Sequence, residues 1–178
     1  MTTEILFAGF GGQGILFSGK LLAYKALLEG KQVSWLPSYG PEMRGGTANC
    51  SVAISDTPIG SPIVSKPDIL VAMNLPSLDK YENAVKPGGK IFIDSTLIGR
   101  KVERDDVDVY YVPATRLAHE MNADKLANMI ITGKLMAVCP EISTDFLEDG
   151  LHKCVSARHQ DLYDLNLKAI RVGAEFEG

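Results

Sequence analysis

Hydrophobic and polar positions alternate between two periods along this chain. Ile5-Leu6-Phe7-Ala8 is a short apolar run ending at Gly9, as expected of a strand buried on both faces. Ile15, Gly19, Leu22, Ala23 and Ala26 then recur at helical spacing and predict a helix over residues 15–29, closed by Gly30. Three of those five are Gly or Ala, so the helix can lie close against a sheet. Residues 32–36 and 47–54 predict two further strands, the second with Val52 and Ile54 facing one way and Ser51 and Ala53 the other. Residues 68–73 form a buried strand, 76–85 a short helix stopped by Pro87-Gly88-Gly89, and 90–94 and 107–112 the last two strands. Beyond Pro113 the pattern is helical. Met129, Ile130, Gly133, Met136 and Ala137 make one stripe; Leu162, Leu165, Ala169 and Val172 make another. Trp35 is expected in the core.

Strands alternating with helices predict an α/β fold: a doubly wound, mostly parallel sheet with flanking helices and a helical C-terminal third. The length of 178 residues suits one domain over residues 1–178. The apolar runs span only a few residues each, so no membrane span is expected. No basic leader precedes the first apolar run, and the chain is read as cytoplasmic. The net charge is −4, which argues against a nucleic-acid partner. The charge cluster Glu103-Arg104-Asp105-Asp106 reads as a solvated loop. Cys50, Cys139 and Cys154 show no CxxC spacing, so neither zinc nor an iron–sulfur cluster is expected on this chain, and the thiols should be reduced. His152 and His159 lie seven apart, where one helix face could carry both, but no carboxylate stands at matching spacing.

Chemistry concentrates in two loops. Gly9, Gly11 and Gly14 fit G-x-G-x-x-G between a strand and a helix. The amides of Gly12, Gln13 and Gly14 would face outward at the positive end of the helix dipole, a place that favours an anion. A dinucleotide would need an acid near the end of the second strand, and Val33-Ser34-Trp35-Leu36-Pro37-Ser38 has none. Two other readings stand beside it: tight packing of strand, turn and helix, and a phosphate-bearing cofactor lying between subunits. The second loop, Ser38-Tyr39-Gly40-Pro41-Glu42-Met43-Arg44-Gly45-Gly46, should leave the same sheet edge. Its charges are either solvated or part of a site there. Asp94, Ser95, Thr96 and Asn74 also end strands at this edge and read first as caps. Asn128 reads as a buried polar residue bonded to a loop carbonyl.

GFGGQG at 9–14 with SYGPEMRGG at 38–46 resembles the gamma subunit of the 2-oxoacid:ferredoxin oxidoreductases. SKPDILVAMN at 65–74, KPGGKIFIDSTLI at 86–98 and ANMIITGKL at 127–135 extend the likeness over residues 4–175. The resemblance implies an enzyme complex that oxidises pyruvate, 2-oxoglutarate or a branched-chain 2-oxoacid to an acyl-CoA and passes electrons to ferredoxin. It implies alpha and beta partner subunits, leaves room for a delta subunit, and places thiamine diphosphate and iron–sulfur clusters on those partners. Coenzyme A would touch this chain at Gly9, Gly11, Gly12, Gln13, Gly14, Tyr39, Gly40, Glu42, Arg44 and Gly45. No catalytic or metal-ligating residue is expected here. The chain alone should be inactive and should self-associate, as a homodimer, through an apolar patch. The competing expectation is a stand-alone Rossmann-like module for a phosphate-bearing metabolite.

Overall fold

The computed structural model describes residues 1–38 and 47–178. In chain order its elements are β1 (Thr2–Phe10), α1 (Ile15–Leu28), β2 (Gln32–Ser38), β3 (Thr47–Ser55), β4 (Ile69–Ala72), α2 (Leu75–Tyr81), β5 (Lys90–Asp94), β6 (Asp108–Val112), α3 (Ala114–Glu120), α4 (Ala127–Val138), α5 (Leu147–Cys154) and α6 (Gln160–Glu175). The strands form one sheet in the order β2-β3-β1-β4-β5-β6. β1, β4, β5 and β6 pair in parallel, while β3 runs antiparallel between β1 and β2. The crossover through α1 therefore lands two places from β1, and β3 fills the gap. β2 still points the same way as β1, as a doubly wound sheet requires.

Period-two alternation divides the core. Ile5, Phe7, Val52, Val71 and Phe92 face α1 and the C-terminal helices, in one large cluster. Leu6, Leu70, Ala72, Ile91 and Ile93 face the other way, where Leu78 of α2 and Val85 cover them. Every position of β4 is buried, so that strand has no solvent side. Each fully buried aromatic such as Phe7 or Phe92 contributes about 1.5–3 kcal/mol by leaving water.

The five predicted stripe positions of α1 are all buried. The helix ends in paired bonds, Gly30 N–H to the Leu27 carbonyl at 3.0 Å and Lys31 N–H to the Ala26 carbonyl at 3.1 Å. α4 and α6 cross at two glycines. A Cβ on Gly133 would lie 1.9 Å from the Ile170 carbonyl oxygen, and one on Gly173 would lie 1.7 Å from that of Ile130. Only hydrogen fits at either point.

Some expectations need correction. The buried residues of α6 are Tyr163, Asn166, Ala169, Ile170 and Gly173, so the stripe is rotated by about one residue. Leu162 is exposed because the close glycine crossing, rather than leucine bulk, sets the helix's phase. Trp35 is not core: β2 is an edge strand, and its indole is 37 % exposed. Arg104 is not freely solvated. Its guanidinium holds Asp106 and donates to the carbonyls of Glu82 and Val85, while its neighbours stay exposed. His152 lies in α5, where it stacks on Tyr163, and His159 precedes α6, so the two do not share a helix.

Candidate functional site

Ligands in a doubly wound sheet bind beyond the carboxyl ends of the strands, where neighbouring connections depart in opposite directions. Here that place lies between β1 and β4. β1 leads through α1 towards β2, β4 leads through α2 towards β5, and the two helices cover opposite faces. The glycine loop, residues 9–14, sits at this point.

The loop is fixed from within. Gln13 Oε1 accepts the Phe10 N–H at 2.6 Å, and Gln13 Nε2 donates to the Met73 carbonyl at 3.0 Å, beyond the end of β4. The Gln13 side chain thus spans the crevice between the two parallel strands. Its backbone N–H donates to the Phe10 carbonyl at 3.3 Å and so, contrary to expectation, does not face outward. Gly9 makes room for this arrangement: a Cβ there would lie 2.6 Å from Gln13 Oε1 and 2.9 Å from Met73 Cβ.

Gly12 and Gly14 have φ of 89° and 74°, left-handed values that glycine adopts without cost. They differ in surroundings. A Cβ on Gly14 would strike Asn128 Nδ2 at 2.3 Å, whereas one on Gly12 would meet nothing within 4 Å. Gly14 is therefore committed to packing, and Gly12, like Gly11, faces solvent. Gly14 also caps α1, whose first amides lack i−4 acceptors and present partial positive charge.

The second loop springs from the same place. Phe10 pairs with Thr47 and Gly9 with Ala48, while β2 ends at Ser38 opposite Asn49. The sites expected at Tyr39, Gly40, Glu42, Arg44 and Gly45 lie outside the described residues, and β-strand register brings both flanks of their segment beside the glycine loop.

The supporting residues behave largely as expected. Asp94, fully buried, accepts from the N–H of Thr96 and Thr115 and from the Thr115 hydroxyl at 2.5 Å, tying β5 to the start of α3. Asn74 caps α2 by accepting the Ser77 N–H at 2.9 Å. Asn128 Nδ2 donates to the Gly14 carbonyl at 3.1 Å. The sequence reading missed what is left over. Asn74 Nδ2, Ser77 Oγ and Asn128 Oδ1 are buried without a partner among the described residues. Ser77 carries no sign of this in the sequence, since a serine three residues after a cap is ordinary.

The three thiols lie apart from this edge's chemistry. Burial pushes Cys50 and Cys139 up to about 12 and Cys154 to about 11. Among the described residues no three His, Cys, Asp or Glu side chains gather as metal ligands. No helix of the described residues is long and apolar enough to cross a membrane.

The family model for pyruvate ferredoxin/flavodoxin oxidoreductase matches residues 4–176. The chain belongs to this family. Among its relatives, ketoisovalerate oxidoreductase subunit VorA of Methanothermobacter thermautotrophicus is 39% identical over 176 residues, 97% of this chain and 36% of that protein. This chain thus spans about a third of that longer relative. The 2-oxoglutarate synthase subunit KorC of Methanocaldococcus jannaschii is 39% identical over 154 residues, 85% of this chain and 82% of that one. The crystal structure of a keto/oxoacid ferredoxin oxidoreductase gamma subunit from Geobacter sulfurreducens superposes with a TM-score of 0.82 at 29% identity, covering 97% of this chain and 96% of that one. The mixed sheet described above is thus the fold of a gamma subunit from this family.

Proposed function

We propose that this chain is the gamma-type subunit of a multi-subunit 2-oxoacid:ferredoxin oxidoreductase, folded as one domain over residues 1–178. The observation that carries this reading is the near end-to-end likeness to proteins that are themselves oxidoreductase subunits. The assembled enzyme would oxidise a 2-oxoacid such as 2-oxoglutarate, a branched-chain 2-oxoacid or pyruvate, with coenzyme A as acyl acceptor and ferredoxin as electron acceptor. Alpha, beta and delta partners would hold thiamine diphosphate and the iron–sulfur clusters. This chain's donor set supports that division: Cys50 and Cys139 are buried, Cys154 stands apart from both in sequence, and burial holds all three protonated far above neutral pH, whereas cluster ligands are exchangeable thiolates gathered close together. Three unpaired thiols also suit the reducing cytoplasm.

Within this chain, the phosphate part of coenzyme A is proposed to meet the glycine loop. Gly12 and Gly11 offer an open backbone surface at the start of a 14-residue helix. Gly9, Gln13 and Gly14 hold that surface in shape, and Tyr39, Gly40, Glu42, Arg44 and Gly45 would complete it from the neighbouring segment. The likeness to enzyme subunits weighs against a stand-alone metabolite module.

Two measurements test separate parts of this reading. Affinity capture of the tagged chain from its native cells should recover larger chains bearing thiamine diphosphate and clusters, and the captured complex, not the isolated chain, should reduce a viologen dye with a 2-oxoacid. Robust turnover by the isolated chain, or capture of no such partners, refutes the subunit reading. Calorimetric titration of the complex with coenzyme A tests the loop. Gly11→Val and Arg44→Ala should each weaken binding, and unchanged affinity in both variants would leave the loop with a structural role only.

A further inference from the structure

Among the described residues β2 forms one open edge of the sheet, paired with β3 on one side only. Natural proteins usually place charge on such edges to refuse further pairing. β2 has none: it reads Gln32-Val33-Ser34-Trp35-Leu36-Pro37-Ser38. Trp35 sits at its centre, and Leu36 is 39 % exposed beside it. Pro37 removes a single donor near one end and leaves the remaining strand able to pair.

The outer face of α1 continues this surface. Tyr24, Leu27 and Leu28 are 36 %, 54 % and 38 % exposed. With Lys20 they fall on one side of the helix at three- and four-residue spacing. Between helix and strand lies a shallow depression of about 220 Å³ lined by Lys20, Ala23, Tyr24, Leu27, Val33 and Trp35. An uncharged edge and an apolar helix stripe thus make one surface on the side of the molecule away from β4 and the glycine-loop crevice.

We propose that this surface pairs with the same surface of a second copy of the chain, β2 against β2 and α1 against α1. A two-fold axis relates identical edge strands in antiparallel fashion and keeps both α1 helices on one face of the enlarged sheet. Tyr24, Leu27 and Leu28 then bury against their counterparts over the paired strands. Such a contact demands a self-complementary patch, and a neutral apolar one qualifies. Charge supports the same occupant. Lys20, the one cation lining the depression, has no acidic partner among the described residues. Antiparallel helices set it towards the carboxyl end of the partner's α1, where the negative end of the helix dipole attracts a cation. A different chain would have to supply its own edge strand, apolar stripe and negative end in the same arrangement, and the second copy has all three.

Trp35 is the chain's single tryptophan, so its emission reports this surface directly. Sedimentation velocity on the full chain should show a dimer at tens of micromolar that dissociates towards tens of nanomolar, with Trp35 emission moving to longer wavelength in step. Leu27→Glu and Tyr24→Glu change exposed positions of α1, so both should leave the circular dichroism unchanged. Each should give a monomer at every concentration, with the emission of the dilute wild type. The proposal is overturned by a wild type that stays monomeric, by a dimer that both variants leave intact, or by emission that ignores dissociation. A monomer whose Trp35 emission shifts only when a different purified subunit is added also overturns it, and assigns the face to that subunit.

Discussion

Replacing Gly133 with alanine tests the account of the α4–α6 crossing. The added Cβ would stand 1.9 Å from the Ile170 carbonyl oxygen, 2.7 Å from its carbon and 2.9 Å from its Cα. All three are backbone atoms, so no side chain can rotate away. Ordinary contact begins near 3.4 Å, and α6 must therefore retreat by about 1.5 Å along a packed interface. Overpacking of this kind costs about 1–3 kcal/mol, and backbone against backbone belongs at the upper end or beyond. Alanine's better helix propensity returns about 1 kcal/mol, leaving a net loss of about 2 kcal/mol. For a chain of this length that lowers Tm by about 4–8 °C. Gly173→Ala, with its Cβ 1.7 Å from the Ile130 oxygen, should lose at least as much. Gly60 is the control: a Cβ there meets nothing within 4 Å, so Gly60→Ala should be neutral or slightly stabilising. Urea denaturation followed by circular dichroism reads all three. If Gly133→Ala raises the midpoint, or falls no further than Gly60→Ala, the crossing is not as close as described and propensity alone governs the site.

Glu82, buried, accepts from Arg100 at 2.7 Å and from the Glu103 N–H at 2.7 Å. Glu82→Ala should cost about 1–3 kcal/mol and speed amide exchange at Glu103, a change that leaves the far α4–α6 pair protected. Gly14→Ala combines a φ of 74° with a clash against Asn128, so it should destabilise the fold in urea, whereas Gly12→Ala, strained in φ but unobstructed, should cost about 1 kcal/mol. Cys50 and Cys139 favour the protonated form when folded, moving from 9.0 up to about 12. The stability this contributes is therefore complete below pH 9 and is lost as pH rises from 9 towards 12. Urea midpoints should fall over that window and fall less in Cys50→Ala measured against its own value at pH 7. A thiol reagent at neutral pH should modify Cys154, the partly exposed one, before either of the others.

Much of the fold was legible because its signals are local. The four-residue apolar run before Gly9, the small residues on the inner face of α1 and the Gly30 stop each state their own geometry. β5 matches its predicted bounds because lysine and aspartate flank a wholly apolar core. The position of β3 between β1 and β2 was not legible, since strand order depends on pairing over distance rather than on pattern. The phase of α6 was misread because leucines at 162 and 165 look like a core stripe, while the buried contact is made by Gly173 and its carbonyl neighbours. Trp35 was misplaced for a related reason: edge or centre is a property of the sheet, and the tryptophan reads the same in either. At the candidate site, the G-x-G-x-x-G spacing located the loop, and the strand ends at the same edge pointed to capping by Asn74 and by the Asp94–Ser95–Thr96 segment. It did not reveal that Gln13 would turn inward, because a glutamine between glycines carries no sign of the Met73 carbonyl that receives it.

The inward turn of Gln13 bears on speed as much as on shape. Many phosphate-binding loops are mobile until a ligand orders them, and the entropy of that ordering is subtracted from affinity. Here both ends of the loop are already tied to the sheet by one carboxamide, so the ordering occurs when the chain folds. The ligand proposed for Gly11 and Gly12 would meet a surface already in place, and its association would be governed by diffusion and charge rather than by a conformational wait. Removing the carboxamide, as in Gln13→Ala, would move that entropy from folding into binding: the same contacts would remain available, but each encounter would have to assemble the loop anew.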